Sequence, residues 1–297
     1  MNNGIPLIRK LVIVGAGLIG GSLALALRHV GAVGEIVGVG RSRVNLDKAM
    51  EAGAIDRVAS ELVDVAQDAD MIVLATPVNT INHYLHELSA DPPKDAIITD
   101  VGSVKQDIML TARQCLKEQY RNFVPGHPIA GRERSGIDAA SAGLFQNHNV
   151  VLTPDGDTDS EAIETVRKMW LVTGASIILM DRLEHDAVLS LTSHLPHILA
   201  YAMMDYLAND AKSERCYRMT AGGFYDFTRT ASSDPEMWKD ISIMNKDSLM
   251  KDIRRFQSRL EDIAMMIQNG EGSSLEKLFK DARQARSLVA EKRSPGE

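Results

Sequence analysis

The sequence predicts an α/β protein in which a Rossmann-type, mainly parallel sheet is followed by an all-helical region. Short apolar, β-branched segments alternate with helical patterns up to about residue 180, as is typical of a parallel sheet covered on both faces. A glycine-rich turn follows the first of these segments. After Asp181 the strand pattern stops and long stretches with helical periodicity begin.

The individual elements follow from these patterns. We expect strands at Leu11–Val14, Glu35–Val39, Met71–Ala75, Ala96–Thr99, Asn122–Val124, Asn149–Leu152 and Ala175–Leu179. We expect helices at Gly20–His29, Asn45–Ala52, Arg182–Leu207, Ser233–Gly270 and Ser274–Lys292. The change of pattern predicts a dinucleotide-binding domain over residues 1–180 and a helical substrate domain over residues 181–297.

Composition narrows the class of protein. A formal net charge of -7 argues against a nucleic-acid partner, because phosphate binding needs a concentrated basic surface. Cys115 and Cys216 are far apart in the sequence and form neither a disulfide framework nor a zinc motif, which indicates a reducing compartment. We see neither a signal peptide nor a membrane span and expect a cytoplasmic protein.

A dinucleotide site is predicted at the first turn. Gly15, Gly17 and Gly20 match the pattern G-x-G-x-x-G, with a strand before it and an apolar helix opening at Leu18 and Ile19. The first glycine permits the tight turn, the second admits a pyrophosphate, and the third lets the helix pack on the strand. From this motif alone, FAD and S-adenosylmethionine remain open as ligands.

The end of the second strand bears on the choice of cofactor. NAD enzymes place a carboxylate there for the ribose hydroxyls, whereas NADP enzymes place arginine nearby. Here the strand ends at Gly40 and continues with Arg41, Ser42 and Arg43. Since arginines pair with a 2′-phosphate, we favour NADP, and NAD stays open.

Polar residues follow three predicted strands, where Rossmann ligands bind. These segments are Thr76–Pro77, Asp100–Lys105 and Gly126–Gly131. His127 stands between glycine and proline, and we expect this Gly-His-Pro loop to hold the imidazole at the cofactor edge. A histidine there suits a base that acts on a hydroxyl whose carbon gives up a hydride.

The helical half supplies further candidates. His194 and His197 lie three residues apart on one predicted helix face, which Pro196 would kink. We expect them to bind substrate or to be structural, and not to hold a metal, because no further ligand motif accompanies them. Arg229 has apolar and aromatic neighbours in the sequence, so we expect it to pair with a carboxylate of the substrate or of the protein.

Taken in order, these motifs resemble those of the prephenate/arogenate dehydrogenase (TyrA) family. The matching segments are the glycine-rich opening, Asp100–Lys105, Gly126–Gly131, Ser193–His197, Asp226–Arg229 and Asp234–Trp238. The resemblance implies oxidative decarboxylation of prephenate or arogenate with hydride transfer to NAD or NADP, in tyrosine biosynthesis. It also implies a homodimer formed through the helical domain.

The resemblance assigns roles to several residues. It implies that His127 polarises or deprotonates the ring hydroxyl, supported by Ser103. It implies that Arg229 holds a substrate carboxylate and that His197 contacts the substrate. It also places Asp226 and Glu133 as a polar pair at the pocket mouth and Trp238 as an apolar wall.

The chain departs from the family pattern at two positions, and two alternative functions stay open. Many relatives have Asp where this chain has Gly40, and a smaller residue where it has Arg132. A β-hydroxyacid dehydrogenase or imine reductase would share the architecture but rely on a helical-domain Lys or Asp. A noncatalytic dinucleotide-binding protein would have no use for His127, Ser103 and Arg229 together.

Overall fold

In the computed structural model, which describes residues 5–132 and 134–292, a six-stranded parallel sheet forms the centre of the first half of the chain. Its strands are β1 (Ile8–Val14), β2 (Val33–Val39), β3 (Arg57–Val58), β4 (Met71–Leu74), β5 (Ile97–Asp100) and β6 (Phe123–Val124). They lie in the order β3-β2-β1-β4-β5-β6, so the winding reverses between β1 and β4. Ligands of such sheets bind beyond the carboxyl ends of the strands at this reversal. The predicted Rossmann-type sheet is confirmed.

A second sheet was not expected as a separate unit. It contains β7 (Gly126–Pro128), β8 (Asn149–Leu152) and β9 (Ser176–Leu179). β7 runs antiparallel to β8, and His127 pairs with Val151. The expected Gly-His-Pro loop is therefore wrong: glycine and proline disfavour a strand locally, but the buried neighbour β8 supplies the pairing. The two-residue strand β3 was also missed.

Helices cover both faces of the main sheet and form the rest of the chain. They are α1 (Leu18–His29), α2 (Arg43–Glu51), α3 (Val63–Ala66), α4 (Val78–Leu88), α5 (Gln106–Leu116), α6 (Ser160–Leu171), α7 (Arg182–Leu189), α8 (Leu195–Ala208), α9 (Ser213–Met219), α10 (Gly222–Thr228), α11 (Pro235–Met244), α12 (Lys246–Gln268) and α13 (Gly272–Lys292). Short 3₁₀ turns lie at Lys117–Asn122, Ile137–Ala139 and Arg229–Ser232.

Two of the expected long helices are interrupted. The stretch expected at Arg182–Leu207 contains a π-helical turn, Ser190–His194, between α7 and α8. This wide turn ends two residues before Pro196, which lacks an N–H and cannot continue a regular hydrogen-bond ladder. The stretch expected at Ser233–Gly270 breaks at Asn245, which joins α11 to α12.

The sheet separates two apolar cores because successive side chains of a strand point to opposite faces. From β1, Val12 and Val14 face a core shared with α4 and α5, while Leu11 and Ile13 face a core shared with α1 and α6. Trp238 of α11 belongs to the first core, so the helical half packs against the sheet half. Within the described ranges, no helix is long and apolar enough to cross a membrane.

Candidate active site

The glycine-rich turn joins β1 to α1 at the carboxyl edge of the sheet. Gly15 has φ +95°, and its N–H donates to the Val39 carbonyl at 2.8 Å. A Cβ on Gly15 would lie 2.7 Å from the Ala75 carbonyl oxygen, whereas one on Gly17 would meet no atom of the described residues within 4 Å. A Cβ on Gly20 would overlap the backbone of Gly15. The turn is thus tight at Gly15 and Gly20 and open at Gly17.

This geometry fits a pyrophosphate. Leu18 and Ile19 form the first turn of α1, whose free N–H groups and dipole favour an anion. Thr76 and Pro77 follow β4 beside Gly15, and the Thr76 hydroxyl is buried without a hydrogen-bond partner in the described chain. A buried unpaired hydroxyl at this edge is suited to a bound polar group.

Three predicted contacts lie beyond β2. The Ser42 hydroxyl caps α2 by accepting from the Asn45 N–H at 3.3 Å. Arg43 is exposed and pairs with Asp47 at 2.8 Å. Arg41 is also exposed, and it forms no ion pair with a residue in the described ranges. Of the three, Arg41 is the side chain whose charge is available to a ligand.

A buried ion pair joins β5 to β7. The Lys105 ammonium donates to the Asp100 carboxylate and to the Gly126 carbonyl, the latter at 2.7 Å, and both side chains are fully buried. Asp100 also accepts from the N–H groups of Gly102 and Gly126. Because these bonds tie the turn that carries Ser103 to the residue before His127, they hold the two predicted groups at one edge of the fold.

His127 is the first member of a hydrogen-bonded chain that crosses from the sheet half to the helical half. Its Nδ1 lies 2.9 Å from Nε2 of His185, and His185 Nδ1 lies 2.7 Å from Oδ1 of Asp186. The Asp186 carboxylate also accepts from the N–H groups of Lys105 and Gln106, at 2.8 and 2.9 Å, at the start of α5. His185 and Asp186 lie on α7 and are buried.

Burial keeps these imidazoles neutral. The pKa of His127 falls well below its usual value because of burial, with further lowering by the charges of His185, Lys105 and His194. Burial also lowers the pKa of His185, although its hydrogen bond to Asp186 opposes this. A neutral imidazole has one nitrogen that donates and one that accepts.

The partners then fix which nitrogen carries each proton. Asp186 accepts from two backbone N–H groups and so accepts from His185 Nδ1–H as well. His185 Nε2 is therefore bare and accepts from His127 Nδ1–H. His127 is left with a bare Nε2, which has no hydrogen-bond partner among the residues described. This is the protonation state that a general base requires.

Trp238 contacts the rings of both His194 and His197 in the helical half. His197 stacks on the indole with ring centroids 3.6 Å apart, and His194 meets it edge-to-face at 6.0 Å. His197 donates from Nδ1 to the Ser193 carbonyl at 2.8 Å, and burial lowers its pKa. The charge of Arg229 lowers the pKa of His197 further.

Arg229 differs from its expected surroundings. It is exposed, so the argument that burial demands a carboxylate does not hold for it. It begins the 3₁₀ turn after α10 and lines a cavity of about 590 Å³ with Tyr201, Tyr217 and Phe224. Asp226 is exposed on α10. Glu133 lies outside the described residues.

Sequence reasoning missed His185, Asp186 and Asn245. The pair His185–Asp186 lies near the start of the helical half. Helical periodicity in the sequence does not show which buried residues of a helix contact the sheet domain. Asn245 donates to the Asp186 carbonyl at 2.8 Å and lies 3.0 Å from His194 Nδ1. The available signal was the position of an adjacent acid and imidazole next to the predicted domain boundary.

Comparison with known families matches both halves of the chain. Residues 23–179 match the model described as prephenate dehydrogenase, nucleotide-binding domain. Residues 181–281 match the model described as prephenate dehydrogenase, dimerization domain.

Individual relatives cover most of the chain. A cyclohexadienyl dehydrogenase of Zymomonas mobilis is 35% identical over 94% of this chain and 95% of its own length. A prephenate dehydrogenase of Bacillus subtilis is 36% identical over 93% of this chain and 75% of its own. The crystal structure of prephenate dehydrogenase from A. aeolicus in complex with hydroxyphenyl propionate and NAD+ has a TM-score of 0.89 and 34% identity, covering 95% of this chain and 98% of that one.

Proposed function

Because this chain belongs to the prephenate dehydrogenase family, we propose that it catalyses the oxidative decarboxylation of prephenate, or of both prephenate and arogenate, in tyrosine biosynthesis. The observation that carries the proposal is the bare Nε2 of neutral His127, held beside the Ser103 turn at the carboxyl edge of the sheet.

The mechanism assigns each residue one task. A bound nicotinamide dinucleotide supplies the acceptor for the hydride. His127 Nε2 accepts the proton of the ring hydroxyl as the hydride leaves the same carbon, and Ser103 orients that hydroxyl. Loss of carbon dioxide from the opposite ring carbon makes the ring aromatic. His127 then returns its proton to the phenol oxygen, so the reaction releases no net proton.

The helical half holds the other end of the substrate. Arg229 is the cation for a substrate carboxylate, and its charge lowers the pKa of His197 on the Trp238 ring. Asp226 and Glu133 remain proposed as residues of the pocket mouth. A boundary between the two domains near residue 180 is consistent with strands that end at Leu179 and helices that begin at Arg182.

The function is tested by steady-state assays with prephenate and arogenate, each with NAD and NADP. We expect carbon dioxide and reduced cofactor in equal amounts with prephenate. Reduction of the cofactor without release of carbon dioxide would instead favour the β-hydroxyacid dehydrogenase alternative. Binding of the cofactor without turnover of either substrate would favour a noncatalytic protein.

We further propose NADP as the preferred cofactor. The support is the absence of a carboxylate at Gly40 and the charge of Arg41, which forms no ion pair with any residue that the structure describes. Arg41→Ala should lower kcat/KM for NADP about tenfold, the usual size of one charged hydrogen bond, and leave that for NAD unchanged. Arg43→Ala is the matched control, since Asp47 already neutralises Arg43. Wild-type preference for NAD would refute the proposal.

The active protein is proposed to be a cytoplasmic homodimer. Its helical half matches a dimerization domain and exposes large apolar side chains on α12 and α13, among them Ile267 and Phe279. The proposed compartment rests on the sequence, in which Cys115 and Cys216 are too few and too far apart for a disulfide framework. Light scattering of the purified protein should give twice the chain mass.

A further inference from the structure

We propose that Asn245 is a positioning residue that fixes His194 as a neutral imidazole whose Nε2–H binds an oxygen of the substrate. The proposal deepens the proposed function and rests on it for the identity of the ligand. Asn245 is buried at the junction of α11 and α12, and its amide nitrogen contacts Asp186 and His194.

The orientation of the Asn245 amide follows from Asp186. The backbone carbonyl of Asp186 can only accept a hydrogen bond, and it lies 2.8 Å from the Asn245 side chain. The amide must therefore present its NH₂ group there, because an amide oxygen would place two acceptors in contact. The second hydrogen of the same nitrogen is then available to His194 Nδ1, 3.0 Å away.

The protonation of His194 follows from that of Asn245. Since His194 Nδ1 accepts a hydrogen bond, the single proton of the neutral ring is on Nε2. Burial lowers the pKa of His194 to about 4; the charge of Asp186 opposes this, and those of His185 and His197 add to it. The ring is thus neutral at physiological pH and is a donor at Nε2.

This donor has no partner in the described part of the protein. His194 is 1% exposed, and its Nε2 is buried without a hydrogen bond. The ring meets Trp238 edge-to-face, on the indole that also stacks on His197. A buried N–H left unpaired is costly, and a carboxylate or keto oxygen of the substrate is the partner that fits it. An ammonium group does not fit.

Asp186 therefore determines the protonation of two imidazoles, with opposite results at Nε2. Through its side chain and His185 it leaves His127 with a bare Nε2. Through its backbone carbonyl and Asn245 it leaves His194 with a protonated Nε2. One acceptor and one donor result, which matches a substrate with a hydroxyl at one end and carbonyl or carboxylate oxygens at the other.

The first test is independent of catalysis. In protein labelled with ¹⁵N-histidine, nitrogen chemical shifts distinguish protonated from bare ring nitrogens, and His194→Gln identifies the His194 signals by their loss. We expect a protonated Nε2 and a bare Nδ1 in the wild type at neutral pH. Asn245→Asp, which can only accept, should move a proton onto Nδ1, whereas Asn209→Asp at the end of α8 should change neither nitrogen. A wild-type His194 protonated on Nδ1 would overturn the proposal, even if Asn245→Asp does not fold.

The second test measures the role of the donor. His194→Gln places an amide N–H near the position of Nε2, whereas His194→Leu fills the space without a donor. The leucine variant should raise KM for prephenate about 10-fold to 100-fold, the size of a hydrogen bond to a charged group, with kcat changed much less. The glutamine variant, which keeps a donor, should raise KM less than the leucine variant does. Equal KM values for the two variants would refute substrate binding by His194, and failure of the wild type to turn over prephenate would refute the proposed function and leave the NMR result standing.

Discussion

At the scale of single residues, the site depends on which nitrogen of each imidazole carries a proton. His127 can act as a base at Nε2 only while His185 accepts from its Nδ1, and His185 does so only while Asp186 accepts from the other side of that ring. Because all three are buried, no solvent water offers an equivalent partner. His185 is therefore expected to affect turnover without touching the reacting atoms.

Two substitutions of His185 separate this effect from packing. In His185→Gln the amide oxygen can accept from His127 Nδ1–H, so kcat should remain within a few-fold of the wild type. In His185→Leu no acceptor remains, and kcat should fall about 10-fold to 100-fold, part of the usual contribution of a general base. Steady-state kinetics with saturating prephenate measures both. Equal kcat values for the two variants would contradict the hydrogen-bonded chain.

The sequence identifies the candidates that act on the substrate more readily than those that orient them. His127 stands out because it lies between glycine and proline after a strand. Asp186 and Asn245 have no comparable local pattern, since they act through contacts with residues 81 and 59 positions away in the chain. Such contacts depend on how α7 and α12 pack, which periodicity does not determine.

At the scale of elements, the turn between β1 and α1 combines two requirements in three glycines. Gly20 lets α1 pack against the backbone of Gly15, whereas Gly17 faces open space. Close packing at Gly20 is thus required for folding, whereas the open space at Gly17 is required for the ligand.

Alanine substitutions should separate these requirements. Gly20→Ala forces a Cβ into the Gly15 backbone, and we expect a loss of about 1–3 kcal/mol in the free energy of unfolding, as for other overpacked sites. Gly17→Ala meets no atom, so the fold should keep its stability while the dissociation constant of the cofactor rises. Denaturant unfolding and fluorescence titration with NADP measure the two effects. A Gly17→Ala protein that binds NADP as tightly as the wild type would argue against a pyrophosphate at this turn.

Elements were predictable where the local pattern agrees with the tertiary contacts. The apolar strands β1, β4 and β8 meet both conditions and were placed within a few residues. β7 was missed because Gly126 and Pro128 favour a loop, and only pairing with β8 makes them a strand. The π-helical turn at Ser190–His194 was likewise anticipated only as a kink near Pro196.

At the scale of the whole molecule, three buried imidazoles and a half-buried one, His197, lie where the sheet half meets the helical half. Burial lowers the pKa values of His127, His185, His194 and His197. In the unfolded chain each titrates near its ordinary pKa of about 6.5. Below about pH 6.5 the unfolded state therefore binds protons that the folded state does not, and folding loses stability as pH falls.

As pH falls, protonation of the histidines should consequently destabilise this protein at a higher pH than protonation of its carboxylates would. We expect the free energy of unfolding to fall from about pH 6.5 towards about pH 4, by up to about 1.4 kcal/mol per pH unit for each imidazole. The lowered carboxylate pKa values, such as that of Asp70, act only below this window. Urea unfolding across this range measures the slope, which His185→Gln should reduce and exposed His83→Gln should not. A constant free energy of unfolding over the window would contradict the buried neutral state.

The most direct test of the central claim compares turnover of prephenate by the wild type and by His127→Asn, with His29→Asn at the exposed end of α1 as control. If His127 Nε2 takes the proton of the ring hydroxyl, kcat should fall about 10²-fold to 10⁴-fold in His127→Asn, with KM and stability little changed and the control unaffected. A His127→Asn protein that releases carbon dioxide and reduced cofactor at the wild-type rate would show that the base lies elsewhere.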